Sequence, residues 1–575
     1  MTRREAIFIL AVVLVIAGYS LMRPYQIAGH SSYVDLSRAE AFHQNVLHGD
    51  LTPRWLPDFY FRFGSPIFNY YAPLTYYVIE IFRLVGLSGL WAVKVAYLFF
   101  WFAAMVAMYF LAAEIFDRHG ALAAAVFYGV APYLLVDAYV RVGLAEFSCF
   151  AFLPLLFLGL WRSARRVDLS GPLLAALTYA ALTLAHNITA LIVTPLALAF
   201  VPAVAIGRRA VLRAWSALFF GLALSAFFWL PALLEKNMVH STSSLTGGFF
   251  DYHFHFLVLG QLFKRVWDFS PSIPGPQDRI GFMFGEGLWL AFLLAPVFIF
   301  RCARNKNYDL LWPTLAGMIG AGICLFMTLP QSSRVWDRLP LISFVQFPWR
   351  FLLPATFFGA LLAAALPLNL PRRWRLAAVL SLVLLAVAAS GQYFRVRYVF
   401  QDMERKTFVI AEPSMAHAAV LDPKLVSPDR YLTIDEIRKL GVTSTASDDY
   451  LPMTCTKPPT AVPAQAVEPI GGEAKVISSS QGYPQVHAEV LASGFQDVAV
   501  NQFYFPGWQA RLDGAKAPIK IEPQSGRMLV TLPPGRHFLE LEFKDTSIRR
   551  WSKYISVAAL AFLMLWLWID LRKKG

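Results

Sequence analysis

The chain has 575 residues, of which 57% are hydrophobic and only 15% are charged. Soluble domains usually carry about 25% charged residues, so this composition excludes a single soluble domain, a disordered chain and a fibrous one. The formal net charge is +14, but the basic residues lie mostly between apolar runs. That distribution is typical of membrane topology rather than of nucleic-acid binding. The sequence therefore predicts a polytopic membrane protein.

Apolar runs of roughly 16–24 residues recur along the chain, and runs of this length can cross the hydrocarbon core of a bilayer. The first follows Arg3-Arg4 and is predicted to stay as an uncleaved helix, because no small-x-small cleavage site follows it. If every basic cluster is cytoplasmic, even numbers of spans must separate the clusters. This parity predicts about twelve spans with both termini cytoplasmic. The run over 70–87 contains Glu80 and Arg83, and it either lies in the external interface or adds a thirteenth span.

Three regions are predicted: a multispan membrane domain over 1–391, whose first external loop covers 23–92, an external domain over 392–550, and a final transmembrane helix with a basic tail over 551–575. In the external domain the apolar density falls. Short alternating segments, separated by turn residues such as Asp513-Gly514, are typical of strands. From about residue 474 they predict an antiparallel β-sandwich. The predicted fold class is thus mainly α, with a mixed or β-sandwich domain before the last helix.

The first external loop contains the leading candidate for chemistry. A short helix from about Leu36 to Leu47 would place Asp35 at its start, with His43 further along the same helix. One interpretation makes Asp35 an N-cap that satisfies free backbone donors. The other makes it an exposed carboxylate that can accept a proton, and the two roles are compatible. The aromatic stretch that follows, including Tyr71, is either an interfacial belt or the wall of a lipid-adjacent groove.

Further candidates lie near the ends of apolar runs. Arg141 and Glu146 are either boundary charges or, for Arg141, a phosphate ligand, because a guanidinium presents a planar fork of donors. His186-Asn187 interrupts a long apolar run, where polar groups tend to be functional, unless the pair forms a turn at the outer surface. Arg350 either snorkels to the interface or pairs with an anionic lipid headgroup.

Soluble-cofactor chemistry finds little support in the sequence. There is no Gly-rich phosphate loop, no GxSxG, no HExxH and no dinucleotide fingerprint. His253-Phe-His255 is a weak metal pattern, because alternating histidines share one face of a strand. If the protein is an enzyme, we therefore expect its donor substrate to be delivered by the membrane.

These motifs resemble YfhO-like bacterial membrane proteins, which belong to the GT-C class of multispan glycosyltransferases. The resemblance rests on the early acid Asp35 and on short polar and aromatic motifs at 53–58, 64–74, 186–187, 347–350 and 503–508. It implies a fold of many helices with a catalytic first external loop. It also implies sugar transfer, with inversion, from a polyprenyl-phosphate donor on the external face of a bacterial inner membrane.

Carried over to this chain, the resemblance makes Asp35 the base that deprotonates an acceptor hydroxyl. We expect Arg141 and Arg350 to match the charge that develops on the lipid phosphate. The further expected members of the substrate site are Tyr71, Glu146, His186, Asn187 and His43. GT-C enzymes commonly show an acidic pair or an acid followed by a histidine. Here Asp35 is followed by Glu40 and His43, which leaves a divalent metal ion as an open alternative.

Two other classes of protein fit the same sequence. A transporter or flippase of lipid-linked saccharide would have functional charges near the bilayer midplane and paired halves. A non-catalytic assembly protein would bind a glycan on its external sandwich, with the aromatic cluster Phe503–Trp508 as the binding face. A packed strand end is the alternative interpretation of that cluster. Consumption of a polyprenyl-phosphate sugar distinguishes an enzyme from both.

Overall fold

The computed structural model describes residues 1–240, 246–339, 341–402, 407–411, 450–471 and 474–574. Among these residues, ten helices are long and apolar enough to cross a membrane. They are Arg3–Met22, Gly89–Ile115, Arg118–Arg141, Leu144–Arg165, Asn187–Val204, Glu286–Arg304, Tyr308–Met327, Pro348–Asn369, Arg372–Phe394 and Ser547–Asp570. The mainly helical, multispan fold predicted from the composition is confirmed.

The candidate spans in the described part of the chain, ten or eleven, are fewer than the predicted twelve to thirteen. Two further apolar helices, Arg208–Leu224 and Ala226–Leu234, meet at an angle of 70° and form either one broken span or a re-entrant loop. This pair is called the bent crossing below. The apolar helix Ser170–Ala185 has 16 residues, so its length is about 24 Å, less than the hydrocarbon core of about 30 Å. The break at His186 is the cause, because it divides one long apolar run and leaves the first half short.

The weak run over 70–87 contains a helix of 11 residues, Leu74–Leu84. Such a helix is about 16 Å long, roughly half of what a crossing needs. It packs against the helix Ser32–Leu47 of the first loop, where Arg83 pairs with Glu40 at 3.1 Å. This geometry agrees with the interfacial interpretation of the run.

The spans divide into a buried core and a periphery. The segment Arg118–Arg141 is buried throughout, and Pro348–Asn369 is nearly so, whereas Ser547–Asp570 is mostly exposed. Small residues allow the core helices to approach closely. A Cβ on Gly159 would lie 2.5 Å from the amide nitrogen of Ala175. Close contacts of this kind are typical of helix packing in membranes.

The most buried span is interrupted before it ends. The helix Arg118–Gly129 is followed by Pro132–Val136 and then by one π-helical turn, Asp137–Arg141. Val142 adopts a left-handed conformation with φ of 51°, and the next helix begins at Leu144. Irregular turns of this type frequently occur at functional sites, and this one directs polar side chains into the core.

The C-terminal domain contains two antiparallel sheets. The first has the strand order Lys520–Ile521, Arg527–Leu532, Gln496–Phe503 and Val467–Pro469. The second has the order Ala474–Gln481, Gln485–Ala492, Gly535–Phe543, Trp508–Leu512 and Ala515–Ala517. The predicted β-rich domain before the last helix is confirmed. One of its strands precedes residue 474, and the last helix begins at Ser547, four residues before the predicted boundary.

A third, small sheet joins the start of the first loop to the segment that follows the helix Arg372–Phe394. Gln26–Ile27, just after the first helix, pairs with Tyr398–Asp402, which in turn pairs with Thr407–Ala411. Much of the weakly patterned stretch between 395 and 470 lies outside the described residues.

The first loop and the sandwich form one junction. The indole Nε1–H of Trp55 donates to Gln502 Oε1 at 2.6 Å, and the Phe503 N–H donates to the Phe63 carbonyl at 2.7 Å. The Trp55 ring also contacts the rings of Phe505, Trp508 and Phe543. Because Phe503, Phe505 and Trp508 are buried here, their interpretation as an exposed glycan-binding face is wrong, and the packed strand end is what the structure has.

A buried polar network completes this junction. The Glu235 carboxylate accepts hydrogen bonds from Asn69 Nδ2 at 2.8 Å, from Thr546 Oγ1 at 2.9 Å and from Arg549 Nε at 3.0 Å. Tyr70 donates to the Glu235 carbonyl at 2.7 Å. These four side chains and Glu235, the Glu235 network, connect the first loop, the bent crossing and the final helix.

Candidate functional site

A cavity of about 690 Å³ lies where the first loop meets the membrane helices. Its size suits a small-molecule or headgroup ligand. Its wall combines the start of the first-loop helix, the break before Leu144, the turn at His186, the bent crossing and the segment 341–350. The charged side chains of the described wall are Asp35, Arg38, Arg141, Glu146, Lys236 and Arg350.

Two arginines in this wall share one carboxylate. Glu146 Oε2 lies 2.9 Å from Arg141 Nη2 and 3.3 Å from Arg350 Nε. Arg141 Nη1 also donates to Asp137 Oδ1 at 2.5 Å, and the Tyr133 hydroxyl donates to Glu146 Oε1 at 2.6 Å. Since Glu146 is 3% exposed, its interpretation as a boundary charge is wrong. Arg141 and Arg350 are called the arginine pair below.

The arginine pair is held rigidly. The Arg141 guanidinium lies 4.5 Å from the centre of the Trp349 ring. Arg350 Nη1 donates to the Val345 carbonyl at 2.9 Å and to Gln346 Oε1 at 3.0 Å, whereas its Nη2 takes no part in these bonds. Gln346 has φ of 64°, and strained residues of this kind persist where the surrounding structure determines them. Arg350 is directed inward, so its interpretation as a snorkelling side chain is wrong.

Asp35 lies in the first turn of the helix Ser32–Leu47. The helix begins earlier than predicted and its N-cap position is Ser31, so the N-cap interpretation of Asp35 is wrong. The carboxylate is 3% exposed. It accepts a hydrogen bond from the Tyr76 hydroxyl at 3.1 Å and one from the Leu144 N–H at 3.3 Å. The second bond joins the first loop to the helix that carries Glu146.

Burial raises the pKa of Asp35 from its ordinary value of 3.8 to about 6, and the charge of Arg38 opposes this rise. A carboxylate with such a pKa is ionised at neutral pH and is a stronger base than an exposed aspartate. The Arg38 guanidinium lies 4.1 Å from the centre of the Tyr71 ring. The sequence reasoning missed Arg38, although its position three residues after Asp35 places both on one helix face.

The expected site residues divide into those that line the cavity and one, His43, that does not. His186 separates the helices Ser170–Ala185 and Asn187–Val204, and its Nδ1 lies 2.7 Å from Thr189 Oγ1. Seven of the eight expected residues line the cavity: Asp35, Tyr71, Arg141, Glu146, His186, Asn187 and Arg350. His43 lies outside the described lining, because its Nδ1 pairs with the Glu80 carboxylate at 3.0 Å between two first-loop helices.

Apolar side chains also line the cavity. Leu191, Leu222, Trp229 and Leu233 are among them. They belong to a membrane-crossing helix and to the two helices of the bent crossing. The described lining therefore combines charged side chains with apolar side chains of membrane helices.

Metal ligation was an open alternative for this protein. Among the described residues, no group of three or more His, Cys, Asp or Glu side chains could hold a metal ion. His253 pairs with Asp251 at 2.6 Å, and His255 Nε2 lies 2.6 Å from the Phe249 carbonyl oxygen. In the described part of the chain, neither His253 nor His255 belongs to a group of side chains that could hold a metal ion.

Over residues 68–399 the chain matches the family described as 6-pyruvoyl-tetrahydropterin synthase related domain, membrane protein. The match covers more than half of the chain. The chain belongs to this family. Tyr71, Glu146, His186 and the arginine pair fall inside the segment that the family model covers, whereas Asp35 and the β-sandwich lie outside it.

Several solved structures are similar to 68% of the chain. One is the arabinofuranosyltransferase AftD from Mycobacteria, at 17% identity and a TM-score of 0.40, over 26% of its own chain. Another is the Archaeoglobus fulgidus oligosaccharyltransferase tethered with an acceptor peptide, at 15% and 0.40, over 55% of its chain. A third is ArnT from Cupriavidus metallidurans bound to undecaprenyl phosphate, at 14% and 0.40, over 76% of its chain. No curated protein matches the chain.

Proposed function

We propose that this protein is a membrane glycosyltransferase that moves a sugar from a polyprenyl-phosphate donor to an acceptor hydroxyl. The observation that carries the proposal is the cavity itself, which joins Asp35 and the arginine pair to apolar side chains of membrane helices. Such a reaction needs a base, fixed cations for the leaving phosphate and an apolar path for the lipid. The same cavity offers all three.

Asp35 acts as the base in this proposal. As the acceptor oxygen attacks the anomeric carbon, its proton passes to the Asp35 carboxylate. The bond between the anomeric carbon and the phosphate oxygen breaks, and the phosphate leaves with the electron pair. A single displacement of this kind inverts the anomeric configuration. The Tyr76 and Leu144 hydrogen bonds hold the carboxylate in one orientation throughout.

The arginine pair binds the leaving phosphate. Glu146 holds the two guanidiniums side by side, and Arg350 Nη2 provides donors beyond those that hold the side chain in place. Charge-assisted bonds from guanidinium to phosphate are strong and directional. The described wall carries four cationic side chains against two carboxylates, and it stays cationic when Asp137, the partner of Arg141, is counted as a third. An anionic headgroup is therefore electrostatically favoured.

The membrane delivers the donor. The hydrocarbon tail of the donor lies along the apolar side chains that line the cavity, and its headgroup reaches the first loop. In this arrangement the first loop and the β-sandwich are on the non-cytoplasmic face of a bacterial inner membrane, with both termini in the cytoplasm. We also propose that the protein is one of the YfhO-like proteins that its sequence motifs resemble.

The test is sugar transfer by the full chain in proteoliposomes that contain radiolabelled polyprenyl-phosphate sugars, with envelope extract as the source of acceptor. We expect Asp35→Asn to lower transfer at least about 10²-fold while expression and membrane insertion stay normal. Glu40→Gln is the matched control, because Glu40 lies on the same helix and pairs with Arg83. Unchanged transfer by Asp35→Asn would remove Asp35 from the mechanism. Movement of intact donor across the bilayer without its consumption would identify a transporter instead.

A further inference from the structure

Arg38 occupies a distinctive place beside the proposed base. It follows Asp35 by three residues on the helix Ser32–Leu47, and both side chains line the cavity. Arg38 is 4% exposed although it carries a permanent charge. Its guanidinium lies over the Tyr71 ring, and the Tyr71 ring contacts the edge of the Tyr76 ring at 6.1 Å. Tyr76 is the donor to Asp35.

Groups from several elements act on the Asp35 carboxylate. Its own helix supplies Arg38, the first loop supplies Tyr71, and the following helix supplies Tyr76. Two membrane helices contribute the Tyr97 hydroxyl and the Leu144 N–H, and the π-helical turn contributes the Asp137 carboxylate. Of these groups, Arg38 is the cation. Asp137 has the same sign as Asp35, but it is neutralised by its bond to Arg141.

We propose that Arg38, stacked on Tyr71, is a positioning residue that keeps Asp35 ionised and directed into the cavity. This inference rests on the proposed role of Asp35 as base. A guanidinium suits the task because it stays charged and stacks on an aromatic ring. The Tyr71 ring, the platform, holds the Arg38 guanidinium in place. The positive charge of Arg38 then favours the ionised form of the buried Asp35 carboxylate. Without Arg38, two neutral donors would be left to stabilise a desolvated negative charge.

The ionisation of Asp35 can be measured without any activity. Dicyclohexylcarbodiimide enters membrane cavities and adds to protonated carboxyl groups, so the labelled fraction of Asp35 falls as the pH rises through its pKa. Purified full-length protein in lipid nanodiscs is labelled between pH 4 and pH 9, and the modified residue is located by mass spectrometry. In the wild type we expect the midpoint near pH 6, because burial raises the pKa of Asp35 to about 6.

In Arg38→Gln we expect the labelling midpoint to rise by at least about 1 pH unit, and Arg38→Lys should restore most of the difference. Arg83→Gln is the matched control, since Arg83 pairs with Glu40 outside the described cavity lining. An unchanged midpoint in Arg38→Gln overturns the proposal. If that variant is not recovered in folded form, Tyr71→Leu decides, because it removes the platform and keeps the charge. A raised midpoint in Tyr71→Leu supports the proposal, and an unchanged one overturns it.

Sugar transfer by the same variants separates this inference from the proposed function. Arg38→Gln should transfer about two- to tenfold more slowly at pH 7, for a midpoint 1–2 pH units higher, and should recover toward pH 9. A purely structural role for Arg38 would not give recovery with pH. If the labelling midpoint shifts but the wild type transfers no sugar, the proposed function fails and the coupling of Arg38 to Asp35 stands. If the wild type transfers sugar but the labelling midpoint does not shift in Arg38→Gln, the proposed function stands and the coupling of Arg38 to Asp35 fails.

Discussion

Two buried carboxylates, Glu146 and Glu235, each hold arginine side chains, yet their surroundings differ. Glu146 pairs with Arg141 and Arg350, and all three line the cavity. Glu235 pairs with Arg549, which lies 5.1 Å from the Phe505 and Phe543 ring centres, and Glu235 is not among the described lining residues. The two clusters contain the same chemical groups at similar burial. Burial of charge is therefore common to both clusters, and the open volume beside Glu146 is what distinguishes them.

Neighbouring residues show the same division within one turn of chain. Glu235 is directed into the junction between the first loop and the final helix. Lys236, the next residue, lines the cavity. Tyr70 is the member of the Glu235 network that lines the cavity. We infer that Glu235 and Arg549 serve stability and that the arginine pair serves the ligand. Variants of Glu235 should then lower thermal stability, whereas variants of the arginine pair should lower the rate of sugar transfer.

The largest expected effect is on stability. Glu235→Ala leaves Arg549 as a buried charge without its carboxylate, so we expect the free energy of unfolding to fall by about 3–5 kcal/mol. Thermal unfolding in detergent measures this change. Glu542→Ala removes an exposed carboxylate that pairs with Lys544 and is the control. Sugar transfer per folded molecule should stay normal in both variants. A loss of transfer by folded Glu235→Ala comparable to that of Asp35→Asn would contradict the division.

The second expected effect concerns pH. Because the pKa of Asp35 is raised to about 6, the carboxyl group is protonated below pH 6, and transfer should fall about tenfold between pH 7 and pH 5. The folded state holds this proton more tightly than the unfolded chain. The contribution of Asp35 to stability is thus present at pH 4 and is lost, by about 3 kcal/mol, as the pH rises through 6. Asp35→Asn should abolish this dependence, and a wild-type rate that is flat from pH 5 to pH 7 would contradict the assignment of the base.

The third expected effect tests the arginine pair. Arg350→Lys keeps the positive charge but loses the planar fork of donors, so we expect transfer to fall about 10–100-fold, equivalent to about 1.4–2.7 kcal/mol. The free energy of unfolding should fall by less than the roughly 3–5 kcal/mol expected for Glu235→Ala, because the positive charge is kept. Arg301→Lys is the control, because Arg301 bonds to Asn369 at an exposed position. Donor titrations that show normal rates for Arg350→Lys would rule out a phosphate contact at this residue.

The smallest expected effect is at His43. Its pair with Glu80 is mostly buried and joins two first-loop helices, so His43→Ala should lower the free energy of unfolding by about 1 kcal/mol. Transfer should stay within about twofold of the wild type, because the ring lies outside the described cavity lining. A kinetic assay at saturating donor checks this, and a tenfold loss would return His43 to the site.

Periodicity and polarity at membrane depth predicted much of this molecule. The apolar runs located the spans, and the alternation after residue 474 located most strands of the sandwich. Polar residues near the ends of apolar runs located Arg141, Glu146, His186 and Arg350, because an uncompensated polar group there is unfavourable. The spacing of Asp137 and Arg141, four residues apart, could also have predicted their ion pair.

Long-range contacts were beyond the reach of one sequence. The contact between Glu146 and Arg350 joins residues from different helices, and no local pattern reports it. The same applies to the hydrogen bond between Trp55 and Gln502. Trp55 lies in the motif at 53–58 and Gln502 directly precedes the motif at 503–508, but neither motif indicates the other as its partner. The first-loop helix begins at Ser32, four residues before the predicted start at Leu36. The residues before Asp35 lack the apolar periodicity that would indicate a helix there.

The bond between Trp55 and Gln502 spans 447 residues and has a consequence for biogenesis. A ribosome that adds roughly 5–20 residues per second reaches Gln502 about 20–90 s after Trp55. Throughout that interval the newly inserted first loop lacks the domain that encloses its tryptophan. We therefore expect nascent chains that stop before the sandwich to be degraded or held by chaperones, and the competent site to form only near the end of translation.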